Sequence, residues 1–84
     1  MNLVFSDNAW EDYLYWQSND PKVLQRINVL LSETKRQPFT GIGKPELLKH
    51  GYKGYWSRRI TEEHRFVYKV LDDSILVAQL RYHY

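Results

Sequence analysis

The sequence predicts an α+β domain in which an N-terminal strand and a two-helix hairpin pack on one face of a twisted antiparallel β-sheet. Three observations carry this. Apolar residues recur at helical spacing until Pro38, a glycine- and proline-rich stretch follows, and beyond Gly54 the apolar period switches to 2. Eighty-four residues make a single domain, residues 1–84. A chain this short buries only about 60–65% of its unfolded surface, so its core must be dense. Three Trp, seven Tyr and three Phe supply the bulk.

Asn2-Leu3-Val4-Phe5 reads as a short opening strand, and Ser6 is a good N-cap for a helix whose first turn carries Asp7. Phe5 at N′ and Trp10 at N4 have the spacing of a hydrophobic staple. Trp10, Tyr13 and Leu14 recur at i, i+3, i+4 and set an apolar face on a helix running to about Ser18. Asp20 then caps a second helix with Pro21 at its first position, where the missing N–H costs nothing. Val23, Leu24, Ile27, Leu30 and Leu31 form its stripe.

The stretch "PFTGIGKPELLKHGYKG" holds four glycines and two prolines and reads as loop. Its "GIGK" is not a Walker A loop, because the four-residue spacer between glycines is absent and Pro45 stands where Ser or Thr would hold magnesium. "YWSRRI", "HRFVYKV" and "ILVAQLRYHY" then make a three-stranded meander, with residues 2–5 and 46–49 available as fourth and fifth strands.

Register decides which side chains share a face. In the last strand Leu76, Ala78, Leu80 and Tyr82 form the apolar set expected to meet the helices, so Gln79, Arg81 and His83 face away. In the middle strand Phe66, Tyr68 and Val70 face inward, leaving Arg65, Val67 and Lys69 on the other side. Pairings 59:65 and 65:81 bring Arg59, Arg65, Lys69, Arg81 and His83 onto one open basic face. Arg58 falls on the apolar side. Either a bulge rotates it out or its stem snorkels along the core edge, and both readings stay open.

Charge supports a polyanion on that face. Residues 1–42 hold four Lys/Arg against five Asp/Glu, whereas residues 43–84 hold eight against five and all three histidines. A solvated basic face with no ligand is the plainer alternative. The absence of cysteine leaves no disulfide or thiolate zinc framework and suits a reducing compartment. No apolar run approaches the ~20 residues of a membrane span, so a cytoplasmic protein is expected.

Arginines around a histidine suit a phosphodiester, since guanidinium groups bind phosphate oxygens in pairs and stabilise charge developing on them. RNA can be cut without a metal when a base takes the 2′-hydroxyl proton and an acid protonates the leaving 5′-oxygen. No Asp, Glu or His cluster has metal-ligand spacing, so no cofactor is expected. His83 is the candidate acid. Glu46, where the loop re-enters ordered structure, is the best candidate base, ahead of the turn residues Glu62 and Glu63. His50 and His64 read as structural, and Trp10, Tyr15 and Trp16 as core or partner surface.

"KPELLKHGYKGYWSRRITEEHRFVYKV", the ending "RYHY" and the opening "AWEDYLYWQ" together resemble the YoeB toxins of YoeB–YefM toxin–antitoxin systems, within the RelE/ParE-like superfamily. The resemblance covers essentially the whole chain. It implies a RelE-like microbial-ribonuclease-type fold and a toxin endoribonuclease that enters the ribosomal A site, cuts mRNA there and is neutralised by a YefM-like antitoxin. It implies Glu46 as general base, His83 as general acid and Arg65 as phosphate stabiliser, with Arg59, Lys49 and Tyr84 supporting substrate placement, and a homodimer. Several relatives read Pro-Glu-Pro where this chain has Pro45-Glu46-Leu47. Losing the second proline removes a φ constraint next to Glu46. Two rival readings share the features: a ParE-like toxin acting on DNA gyrase, and a non-catalytic RNA-binding module.

Overall fold

Side-chain caps start both helices where the sequence places them. The computed structural model describes residues 1–83. Strand β1 (Asn2–Phe5) leads into helix α1 (Asp7–Asn19). There the Ser6 hydroxyl oxygen accepts from Ala9 N at 3.0 Å, while its proton goes to the Ala78 carbonyl. Phe5 meets Trp10 edge-on at 5.9 Å, completing the staple. Asp20 caps helix α2 (Pro21–Arg36) by accepting from Val23 N.

The buried stripe of α2 is Ile27, Leu30, Leu31 and Thr34, close to the expected face. That of α1 is different. Ala9, Asp12 and Trp16 are buried, and Leu14 and Trp10, the latter 50% exposed, lie outside the core. Trp10 stacks on Tyr13 at the surface instead. Of the expected stripe only Tyr13 packs against the core, and the docking face is shifted to Ala9, Asp12 and Trp16.

Five strands form one sheet in the order β1-β5-β4-β3-β2, with β2 (Glu46–Leu47), β3 (Trp56–Arg59), β4 (Arg65–Val70) and β5 (Ser74–Gln79). The meander is antiparallel as expected, but β1 runs parallel to β5, so the sheet is mixed. The helices cover one face, and Ile27, Leu30, Phe66, Tyr68, Ile75, Val77 and Leu80 lie in the core between the layers.

The last strand departs from its expected parity. Val67 pairs with Gln79, the row that a 65:81 register requires, yet Tyr68 pairs with Val77, which leaves Ala78 as the extra residue of a bulge. Ile75 and Val77 therefore point into the core in place of Leu76 and Ala78, while Leu80, beyond the bulge, is buried as expected. Strand pairing stops at Gln79, and Tyr82, at φ 64 and 57% exposed, is not part of the apolar set.

Arg58 neither rotates out nor snorkels to solvent. It is 0% exposed, on the helix side of β3 opposite Phe66. Its Nε donates to the Tyr68 hydroxyl, Nη1 to the Ile42 carbonyl, and Nη2 to the carbonyls of Gln37 and Thr40. The Tyr68 hydroxyl in turn donates to Pro38 O at 2.7 Å. One guanidinium thus fastens the loop after α2 to the core without a carboxylate partner. Burial pushes the Tyr68 phenol above its ordinary value, and the Arg58 hydrogen bond and charge partly oppose that rise. Gly43 fits the same knot. At φ 82, a Cβ there would lie 2.8 Å from Leu30 Cδ2 and 3.1 Å from Arg58 Cβ.

Candidate active site

Sheet register places Glu46, Arg59, Arg65 and Lys69 on the face away from the helices. Glu46 pairs with Ser57, Ser57 with Val67, and Arg59 with Arg65. Paired residues share a face, and alternation puts these residues and Lys69 opposite Phe66 and Tyr68. The centre of that face is filled, since Ser57 and Val67 are 3% and 1% exposed. The charged groups line its margins. Glu46, Lys49 and Arg59 are exposed and Lys69 is half-buried, its Nζ 5.4 Å above the Tyr55 ring.

Arg65 is more constrained than an open-face position suggests. It is buried, and its Nη1 donates to the carbonyls of Thr61 at 2.7 Å, Glu62 at 3.0 Å and His64 at 3.1 Å. Those bonds hold the β3–β4 turn and fix the guanidinium at the start of β4. Thr61 shapes the same turn through its hydroxyl, which accepts from the backbone N–H groups of Glu63 and His64.

Beyond the last strand, several side chains and one backbone bond from β4 hold the C-terminal segment. Asp12 Oδ2 accepts from Leu80 N at 3.0 Å, and Trp16 Nε1 donates to Leu80 O at 2.9 Å. The Gln79 amide donates to the carbonyls of Arg81 and Tyr82. Arg65 N donates to Tyr82 O at 3.0 Å, and Tyr82 N donates to His64 Nδ1 at 2.7 Å. His83, which is exposed, follows directly from this latched segment. Tyr84 lies outside the described residues.

Arg81 corrects the expectation of a shared basic face. Its guanidinium sits 3.5 Å from the centre of the Tyr15 ring on α1 and 4.7 Å from that of Tyr82, whose hydroxyl accepts from Nη2. The cause is the loss of strand geometry after Gln79, which ends the alternation on which that placement rested. His83 and Arg81 open with Glu11 and Asp12 into a cleft of about 520 Å³, whereas Glu46 and Lys49 line a separate one of about 440 Å³. The two ends of the expected acid–base pair therefore flank the Arg65 region without sharing a cleft.

The sequence marks His64 as structural and Trp16 as core or partner surface and omits Asp12; in the structure all three grip the C-terminal segment. Asp12 had a legible signal, a carboxylate three residues after Ala9 and four before Trp16 on one helical face. His64 had none, because its partner is a backbone N–H eighteen residues away. Among the described residues, no group of three or more His, Cys, Asp or Glu is arranged to hold a metal ion, and no helix is long and apolar enough to cross a membrane.

A two-helix hairpin packed on one face of a five-stranded mixed sheet is a small α+β fold also seen in solved toxins. A chain described as the YoeB/ParE toxin from Agrobacterium tumefaciens superposes with a TM-score of 0.97 at 50% identity, over 100% of both chains. Two Staphylococcus aureus structures, each 50% identical and covering 100% of this chain and 98% of theirs, are described as a heterotetrameric YoeB–YefM toxin–antitoxin complex and a YoeB dimer, with TM-scores of 0.92 and 0.93. Toxin YoeB of Escherichia coli K12 is 58% identical over 84 residues, 100% of each chain. The family described as YoeB-like toxin of bacterial type II toxin-antitoxin system matches residues 5–84. This chain belongs to that family.

Proposed function

We propose that this toxin is a cytoplasmic, ribosome-dependent endoribonuclease that cuts mRNA in the A site by metal-independent acid–base chemistry. The observation that supports it most is the placement of Arg65. Register sets it beside Arg59 on the face that carries Glu46, and its backbone N–H holds the segment that presents His83. In the proposed reaction Glu46 takes the 2′-hydroxyl proton, O2′ attacks phosphorus, and the P–O5′ bond breaks as His83 protonates O5′. The products are a 2′,3′-cyclic phosphate and a free 5′-hydroxyl. With Nη1 committed to the turn carbonyls, Nε and Nη2 of Arg65 are the donors left for phosphate oxygens. Arg59, Lys49 and Lys69 hold flanking phosphates, as does Arg81 from its stacked position on Tyr15, and Tyr84 supports substrate placement.

Because Glu46 and His83 open into separate clefts, the scissile phosphate must bridge them across Arg65. Catalytic contacts often tighten only when substrate binds. A YefM-like antitoxin segment, acidic or amphipathic, would cover the basic face, and the toxin would form a homodimer, as the S. aureus descriptions indicate for their own chains.

The test is to add the protein to translating ribosomes and map mRNA 5′ ends. New ends at A-site codons that persist in EDTA, under conditions that keep ribosomes intact, are expected. Inhibited gyrase supercoiling with intact mRNA would move the assignment to the ParE-like reading. Binding to RNA without cleavage would leave a non-catalytic module.

A further inference from the structure

Tyr82 is held in a conformation that needs an external cause. Its φ of 64 is left-handed, a region disfavoured for a residue with a Cβ. Two backbone hydrogen bonds fix it there, one to the β4 backbone and the other to an imidazole. We propose that His64 is a positioning residue for the acid on the tail: its Nδ1, kept as an acceptor, captures the Tyr82 N–H and thereby sets where His83 points. The inference rests on the nuclease reading for its consequence, though not for its geometry.

A bond from a backbone N–H requires a lone pair on Nδ1, so His64 is the neutral tautomer with its proton on Nε2. The surroundings suit that form. The ring meets Trp16 edge-on at 4.8 Å and Tyr82 at 5.8 Å, and Nε2 lies 3.7 Å from a Glu63 carboxylate oxygen, which favours a proton on that side. The His64 carbonyl meanwhile accepts from Arg65 Nη1. One residue thus ties the phosphate-side guanidinium to the peptide preceding the acid. A displacement of about 1 Å at a reacting group can cost on the order of 10²-fold in rate, so the geometry of this peptide matters to turnover.

Two substitutions separate the acceptor from the ring. His64→Asn keeps an acceptor atom where Nδ1 sits but loses the ring packed on Trp16. His64→Phe keeps the ring and loses the acceptor. If the acceptor positions the tail, His64→Phe cleaves about 10–100-fold more slowly in kcat with KM little changed, and His64→Asn stays within a few-fold of wild type. If His64 is only packing, the order reverses, with His64→Phe near wild type, and the proposal is overturned. An independent reading comes from NMR of the wild-type toxin. A slowly exchanging Tyr82 amide and an Nε2-protonated His64 support the proposal whether or not RNA is cut, whereas a freely exchanging Tyr82 amide overturns it. Wild-type protein that leaves mRNA intact while keeping the protected amide would sink the nuclease reading alone.

Discussion

The two faces of the β3–β4 ribbon each carry a buried arginine that ends in backbone carbonyls rather than carboxylates. On the helix side, Arg58 has all three guanidinium nitrogens committed, to Tyr68 and to three carbonyls of the loop after α2. On the other side, Arg65 commits Nη1 to three carbonyls of one turn. With at least one bond from every guanidinium nitrogen, Arg58 is a structural staple, whereas Arg65 keeps Nε and Nη2 to offer a ligand. Burial of a charged side chain alone does not distinguish the two cases. The remaining hydrogen-bond capacity does.

Breaking the staple should produce the largest change. Arg58→Ala orphans the carbonyls of Gln37, Thr40 and Ile42 and empties a fully buried site, so a loss of about 3–5 kcal/mol is expected. For a domain of this size that lowers Tm by at least about 12 °C in circular dichroism melts. A variant that melts with wild type would refute the assigned role.

The opposite outcome is expected for Glu46→Gln, on the outer face. Its side chain is exposed, so the melt should not move while single-turnover cleavage falls about 10²–10⁴-fold. Near-normal cleavage would place the base elsewhere, with Glu63 the next residue to replace.

Tyr68→Phe is a smaller probe of the staple. It orphans Arg58 Nε in the core and should cost about 1–3 kcal/mol in denaturant titrations. The same phenol gives an alkaline signature. Its folded pKa is raised, so the unfolded chain ionises first. Its contribution is complete below about pH 10 and is lost as pH rises beyond that value. Wild type should therefore lose stability more steeply than Tyr68→Phe as pH rises above about 10. Parallel curves would mean that the burial of this hydroxyl is not felt.

Much of this was legible in the chain. Ser6, Asp20 and Pro21 announced both helices, the period change at Gly54 announced the sheet, and the alternation of Phe66, Tyr68 and Val70 set the faces of β4. The parallel pairing of β1 was not, because a four-residue strand carries no directional signal. Neither was the bulge at Ala78, which shifts parity inside an unbroken apolar run where either reading buries apolar side chains. By register the sequence placed Arg59, Arg65 and Lys69 together on the face away from the helices, whereas Glu46 joins that face through a two-residue strand it gave no register for. It misplaced Arg81, since alternation was carried past the last paired residue, and it could not reveal that Asp12, Trp16 and His64 hold the tail through backbone groups that any residue would offer.

The contrast between the faces is tested most directly by single-turnover cleavage rates, expressed per folded molecule, for Arg58→Met and Arg65→Lys. Arg58→Met is expected to be less stable yet to cut at close to the wild-type rate once the unfolded fraction is discounted. Arg65→Lys keeps the charge but loses the fork, and should fold while cutting roughly 10²-fold more slowly. Wild-type cleavage by Arg65→Lys together with an inactive but folded Arg58→Met would invert the assignment and contradict it.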